Sequence, residues 1–446
     1  MKVNTISEIK DYLNNNFNLH IDLIRGNNAN AFTRNRKVGP FPLFLQMFAQ
    51  KGKTQYSELI DFYKDINKPL DISTVGFYKA RMNFNPEAIR VMSNEFIYSH
   101  YKNYSDSLVK LNGYYVLAVD GSDITVPSTN ENSDLYGRCH AGNKECPQDD
   151  RAVLAKLSTL YDCINHLTLD SQLESYTYGE KKLAMRHIAE AHNNLDANIV
   201  LIFDRGYYSI RLVDEMIRNG QKFLFRLQKD HLRRFSSKLN CGEDEFFDVT
   251  YSKGVADDYK DDPELYKRIL TTTYKLRFAK ILINDNGSST EEILLTNLEK
   301  DEFDIDALKE LYHLRWEIES HYNVLKNKLK LEEFSGYRNT LVRQDIFSAI
   351  WLSNLVSLFI IEINQKDEIP SDRYKYQMKR NTNQIIGVIK SHFIRSLIFH
   401  DMQDKYNDID IVNMLIKTKL VPIRNNRSVL RRNVKNVSRM SYRYSY

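Results

Sequence analysis

Cysteine is scarce in this chain, with four residues, at positions 139, 146, 163 and 241, among 446. So few thiols exclude a disulfide-stapled secreted fold. Cys139, His140, Cys146, Cys163 and His166 are grouped soft donors, but Cys-x6-Cys is not a familiar zinc-ligand spacing, and free thiols are expected. Proline (9) and glycine (16) are too few for a collagen-like or low-complexity chain. The N-terminus lacks the apolar run of a signal peptide, since Glu8 and Asp11 stand in it, so a cytoplasmic, reduced protein is expected. The longest apolar run, Ile346 to Ile361, is interrupted by Ser348, Ser353, Asn354 and Ser357 and falls short of the ~20 residues a bilayer requires. It predicts a buried core helix and no membrane span. The motifs G-x-x-x-x-G-K-[ST], G-x-G-x-x-G, H-E-x-x-H and G-x-S-x-G are all missing, which removes support for nucleotide-binding, zinc-protease and serine-hydrolase readings. What remains is an ordinary globular mix, 42% hydrophobic, 12% aromatic and 27% charged, long enough for roughly two to four domains.

The formal charge of +5 is unevenly spread. Residues 1–110 carry 15 Lys and Arg against 10 Asp and Glu, and residues 424–446 carry seven against none, leaving 41 against 48 between them. Basic ends suit a polyanion and an acidic middle suits divalent cations, the charge plan of an enzyme acting on nucleic acid. A solvated mixed surface with a basic tail fits the same numbers.

Hydrophobic periodicity divides the chain. Residues 1–105 read as helical, with Thr54, Ser73 and Asn85 as N-caps. The stretches TQYSELIDFYKDI and ISTVGFYKARMNF, joined by NKPLD, have helix-turn-helix proportions. In a major groove the second would present Thr74, Tyr78, Lys79 and Arg81 to bases or phosphates. From 111 the texture changes to three successive strands (YYVLAVDGSDITVP, AVLAKLSTLYD, INHLTLDSQLES), then helix, strand, helix, strand through residue 228. Three strands followed by alternation predict an α/β fold with a ribonuclease H-like mixed sheet. Residues 229–296 read as a β-rich insertion of four strand-like pieces, one of them YKRILTTTYK. A long helix follows, about Ile305 to Lys330. The expected organisation is therefore a helical DNA-binding region at 1–105, a catalytic domain at 111–228 and 297–335, the insertion at 229–296, a helical region at 336–423 and a basic tail at 424–446.

Asp120, in VLAVDGSD, is expected at a strand end where Gly121 lets the chain turn, and Asp204 ends NIVLIFDRG in the same setting. Two such carboxylates can converge on one hard cation, although strand-end turns favour Asp for their own sake. On the long helix, Tyr312, Arg315, Glu319 and Lys326 at i, i+3, i+7 and i+14 fall within a stripe of about 60° at 100° per residue. An i, i+4 salt bridge between Arg315 and Glu319 would explain part of that stripe without chemistry. A carboxylate among cations and a phenol also suits a metal ligand beside phosphate-binding groups.

The spacing Tyr312-x2-Arg315-x3-Glu319-x6-Lys326 resembles the Y-R-E-K signature of DDE transposases of the insertion-sequence-four (IS-four) family. VDGSD at Asp120 and FDRGYYS at Asp204 are similar to that family's two acidic blocks, so the resemblance covers about 111–335, with a weaker echo in the N-terminal helices. It implies a ribonuclease H-like catalytic domain with a β-rich insertion. It also implies that Asp120, Asp204 and Glu319 hold two Mg²⁺ or Mn²⁺ ions, and that Tyr312, Arg315 and Lys326 grip DNA phosphates. The activity implied is binding of the element's terminal inverted repeats, cleavage there and strand transfer to target DNA. The partners implied are double-stranded DNA, both transposon ends and target, and a second copy of the chain in a homodimer. The location implied is the bacterial nucleoid when DNA is bound. In relatives that pass through a DNA hairpin an aromatic residue of the insertion, often Trp, stacks on a flipped base. This chain has only Trp316 and Trp351, both outside the insertion, so Tyr259, Tyr266 or Tyr274 would have to substitute. A transposase-derived DNA-binding protein without activity, and a ribonuclease H-like nuclease that cuts without joining, fit the fold as well.

Overall fold

The computed structural model describes residues 4–34, 36–139, 151–285, 288–370, 373–394, 397 and 408–423. His140 and Cys146 of the soft-donor group and the basic tail at 424–446 lie outside the described residues. Six helices precede the sheet: α1 (Thr5–Asn16), α2 (Ile21–Arg25), α3 (Pro40–Ala49), α4 (Gln55–Asp65), α5 (Thr74–Arg81) and α6 (Pro86–Asn103). Thr54, Ser73 and Asn85 cap the last three, each side chain accepting from a backbone amide two or three residues on.

The strands of the main sheet are β1 (Tyr115–Val126), β2 (Val153–Asp162), β3 (Leu167–Ser175), β4 (Ile199–Phe203), β5 (Lys222–Leu227), β6 (Asp244–Val249), β7 (Tyr274–Asp285) and β8 (Ser288–Thr296), while Met378–Arg380 and Leu420–Pro422 pair antiparallel in a small second sheet within the region expected to be helical. The main sheet has the order β3-β2-β1-β4-β5-β8-β7-β6. β1 runs antiparallel to β2 and parallel to β4, which runs parallel to β5. The first five strands therefore make the ribonuclease H-like mixed sheet that the strand order of the sequence predicts. All five residues of β4 are buried, as expected of a parallel strand covered on both faces. The intervening helices are α7 (Asn130–Tyr136), α8 (Glu180–Asn194) and α9 (Ile210–Arg218).

The described residues of 229–296 contain three α-helices as well as three strands: α10 (Arg233–Ser236), α11 (Lys253–Ala256) and α12 (Pro263–Thr271) precede β7 and β8. The stretch YKRILT, expected as strand, lies in α12. Asp262 caps that helix by accepting from the Leu265 amide, Pro263 opens it, and Leu265 and Ile269 bury one face four residues apart. β8 pairs antiparallel with β5, so the inserted strands extend the main sheet.

α13 (Ile305–His313) and α14 (Trp316–Asn323) occupy the place of the predicted long helix, and α15 (Asn339–Lys366) crosses behind the sheet. α15 is long and apolar enough to cross a membrane, yet 83% of its most apolar window is buried inside the protein. Its Asn354 accepts from the Thr168 amide at 2.7 Å and donates to the Thr168 carbonyl at 2.8 Å, occupying backbone groups of edge strand β3. Asp170 of β3 accepts from Arg90 and Asn94 of α6 and bonds His187 of α8, whose other nitrogen meets Ser158 at 3.0 Å. Burial would raise the Asp170 carboxyl, but His187 and the Arg90 charge hold it well below the usual range. Although Ser158, His187 and Asp170 are arranged like a hydrolase triad, each is at most 1% exposed, so the network is a structural tie.

Candidate active site

β1 is covered on both edges only as far as Ala118. Its parallel pairing with β4 stops at Ala118–Ile202, while its antiparallel pairing with β2 continues to Val126. Asp120 stands two residues beyond that last shared rung, and Asp204 follows the last residue of β4. Asp204 lies at the carboxyl end of β4 and Asp120 beside it, where the parallel pairing of β1 has just stopped, the kind of place where open α/β sheets form crevices. The expected turn at Gly121 is not present, because β1 runs straight on. What ends at Asp120 is the partner on one edge, which needs tertiary pairing to see.

Beyond Ala118 the free edge of β1 is met by Lys326, which donates to the Asp123 carbonyl at 2.7 Å, and by Glu332, which accepts from the Thr125 amide at 2.9 Å. Tyr322 ties β1 to β2, donating to the Asp120 carbonyl at 2.9 Å and to the Leu157 carbonyl at 3.2 Å. His321 shares a hydrogen bond with Thr168 and stacks on Tyr161 with ring centroids 4.3 Å apart. Burial pushes its pKa down to about 3, leaving a neutral ring. These anchors fix Glu319 over the ends of β1 and β4.

The helix itself is not uniform. Around Leu314 and Arg315 it tightens, with Arg315 N donating to Tyr312 O and Ile318 N to Arg315 O, and over Val324–Lys328 it widens to a π-turn in which Leu329 N donates to Val324 O. Despite the tightened turn between them, Tyr312, Arg315 and Glu319 still face one site, through their contacts with Asp204, Asp120 and each other. Lys326, within the widened turn, is engaged with the β1 edge and stands 3.9 Å from Glu332.

Arg315 lies among the three carboxylates. Its Nη2 donates to Glu319 at 3.0 Å, its Nη1 is 4.0 Å from Asp120, the Asp204 charge also bears on it, and its Nε has no hydrogen-bond partner. Tyr312 donates to Asp204 at 3.2 Å. Burial pushes the Asp120 carboxyl up to about 6, with Glu319 and Asp204 adding to the rise against the Gly121 amide and Arg315. Asp120, Asp204 and Glu319, separated by 84 and 115 residues, are thus electrostatic neighbours around one guanidinium. Their donors are hard carboxylate oxygens, the type divalent Mg²⁺ or Mn²⁺ prefers. Among the described residues, however, no three His, Cys, Asp or Glu side chains stand close enough to form a ready metal cluster. The arginine holds the centre.

Arg226 of β5 is a member that the sequence patterns do not single out. It lies 3.8 Å from Asp204 and makes a two-pronged salt bridge to Glu292 of β8. A cation inside the apolar run KFLFRLQ is the available signal. Arg226, Arg205, Lys229, Tyr312 and Trp316 line a cleft of about 600 Å³ beside Asp204. Trp316 is 46% exposed there. The tyrosines of the insertion lie elsewhere: Tyr274 is buried and donates to Asp214, and Tyr259 and Tyr266 pack on the small cluster of Ile210, Ala256, Leu265 and Ile269.

Of the two cations expected to face DNA from α5, Lys79 is exposed and Arg81 is not. Arg81 is fully buried, donating to Gln344 at 3.0 Å, Ser335 at 2.8 Å and Asp345 at 3.0 Å. Two residues apart on a helix means about 200° of rotation, so the pair cannot share a face.

A family model for the transposase DDE domain matches residues 111–355, more than half of the chain and the whole of the site just described. This chain belongs to the DDE transposase family. The matched span runs from just before β1 into α15, so the DDE domain includes the inserted strands and the α13–α14 segment that carries Tyr312 to Glu319. No curated protein matches the sequence. Among solved structures, a piggyBac transposase in a synaptic complex with hairpin DNA, determined by cryo-electron microscopy, is similar at 10% identity and a TM-score of 0.43. The match covers 96% of this chain and 85% of that one.

Proposed function

We propose that this chain is a transposase of the insertion-sequence-four, Y-R-E-K type, which binds the terminal inverted repeats of a mobile element, cleaves DNA there and joins the freed 3′ ends to target DNA. The observation that carries the reading is the gathering of Asp120, Asp204 and Glu319 around Arg315 at the strand ends of a DDE domain. The three carboxylates are the residues that would hold divalent cations. Two Mg²⁺ or Mn²⁺ ions, when bound, supply charge stabilisation to the phosphoryl group and an activated water or 3′-hydroxyl.

The chain's own residues do the rest. The Arg315 guanidinium, with its orphan Nε, is placed to leave Glu319 for a phosphate oxygen, which it would grip as a two-pronged donor. The Tyr312 hydroxyl orients Asp204, and Tyr322 fixes the Asp120 backbone. Lys326 adds a point charge at the exposed edge of β1. Trp316, exposed in the adjoining cleft among Arg205, Arg226 and Lys229, gives an unpaired base at a cut end a ring to stack on. A homodimer pairs the two ends.

Asp120→Asn, Asp204→Asn and Glu319→Gln test the reading. Each is expected to abolish Mg²⁺-dependent cleavage of a terminal-repeat duplex, an effect of several kcal/mol, while leaving duplex binding in gel shifts largely intact. Cleavage at near wild-type rate in any one variant would exclude that carboxylate. Joined product in a strand-transfer assay separates a transposase from a nuclease of the same fold.

A further inference from the structure

One feature that the active-site reading leaves unused is a cleft of about 870 Å³ in the helical N-terminal region, between residues 28–34 and 36–40 on one side and α5 on the other. Arg34, Arg36 and Lys37 line one wall and Lys79 the other, and no Asp or Glu is among its lining residues. Lys37 is paired with Asp71, whereas Arg34, Arg36 and Lys79 are exposed and make no ion pair among the described residues. The N-terminus of α3 opens into the same cleft through Gly39 and Pro40, with no side-chain cap and no acidic residue in its first turn. Its dipole therefore adds positive potential to a cleft whose lining residues include no carboxylate.

The cleft is built, not incidental. Phe32 holds a backbone φ of 57° while its ring packs edge-on to Phe84. A bulky residue in the left-handed region is a conformation kept only where surrounding contacts impose it. Arg25 donates to the Ala31 carbonyl at 2.9 Å, and Asn28 donates to Asn83 at 2.9 Å, tying the loop to the end of α5. Lys79 is thereby set opposite Arg34 and Arg36, while Arg81 points away into α15. The α5 surface that reaches solvent as a cation is the wall of this cleft.

We infer that the cleft binds the phosphodiester backbone of duplex DNA through Arg34, Arg36 and Lys79, fixing the position of the N-terminal region on the duplex without reading its sequence. The inference rests on the transposase reading for its ligand. Cations on phosphates set position and salt dependence, whereas sequence is read at base edges.

The experiment measures affinity against salt for two duplexes, one carrying the element's terminal sequence and one scrambled. Wild type is compared with Arg34→Gln, Arg36→Gln, Lys79→Gln and the triple variant. Each single change should make the slope of log K against log salt shallower by about 0.9, and the triple by ~2.7, equally on both duplexes. The side chains are exposed, and thermal melts of each variant verify the fold. Wild-type affinity and slope in the triple variant, or a loss confined to the terminal duplex, would overturn the assignment. Mg²⁺-dependent cleavage by the wild type is read in parallel: binding without cleavage defeats the transposase reading and leaves the cleft standing. Cleavage with an unchanged triple variant defeats the cleft alone. A wild type that binds neither duplex defeats both.

Discussion

Two buried arginines, Arg81 and Arg315, look alike in the sequence, each in an amphipathic helix beside a tyrosine three residues earlier. In the fold they differ in how their donors are used. Arg81 joins α5 to α15, and its Nε and both Nη atoms each have a partner at 2.8–3.0 Å. Arg315 makes one hydrogen bond of 3.0 Å, stands 4.0 Å from a second carboxylate and keeps an orphan Nε. A satisfied buried ion pair is a structural joint. An unsatisfied guanidinium among partly exposed carboxylates is a place still waiting for an anion.

The comparison can be broken by mutation, and the largest expected effect is on the structural joint. Arg81→Ala leaves Asp345, 2% exposed, without its cation, and should cost about 3–5 kcal/mol by chemical denaturation. A loss below about 1 kcal/mol would show that the α5–α15 contact does not depend on this pair.

A second effect concerns the anchor of α14. With a pKa near 3 against the ordinary 6.5, His321 stays neutral in the fold while the unfolded chain takes up a proton below 6.5. The unfolded state then binds more protons, so stability should rise with pH between about 3 and 6.5 and be lost as pH falls through that window. Denaturation midpoints of wild type and His321→Gln across this range isolate the contribution. Parallel curves would refute it.

Tyr322→Phe removes a hydroxyl that serves the Asp120 and Leu157 carbonyls, and should lower stability by about 0.5–1.5 kcal/mol. If Tyr322 positions Asp120, the cleavage rate will fall by more than that stability loss accounts for, with duplex affinity unchanged. The smallest change in stability is expected for Arg315→Ala. Asp120, Asp204 and Glu319 are each about a quarter to a third exposed, so water screens them and folding should shift by no more than about 1 kcal/mol. Cleavage should nevertheless be lost. A melting temperature that drops as far as that of Arg81→Ala would make Arg315 a second structural joint.

Much of this architecture is legible in the amino-acid sequence. β1 to β5, the N-caps Thr54, Ser73 and Asn85, and the core helix α15 follow from hydrophobic period and capping chemistry, which are local. The helix α12 is legible too, since Asp262-Pro263 is a helix start, but the β-branched and aromatic residues of YKRILTTTYK outweigh it in a reading by period. Arg81 is misplaced when two residues on one helix are assigned one face.

The amino-acid sequence by itself determined which residues stand out as candidates, because a carboxylate after a buried strand and the spacing of Tyr312, Arg315 and Glu319 are properties of short segments. Only the tertiary structure decided what those residues touch. The end of β4 strips β1 of its partner just before Asp120, a tightened turn and a π-turn divert Lys326 to the Asp123 carbonyl, and Arg226 arrives beside Asp204 from the next strand. Each of these depends on pairing between segments tens to hundreds of residues apart, and no local period records it.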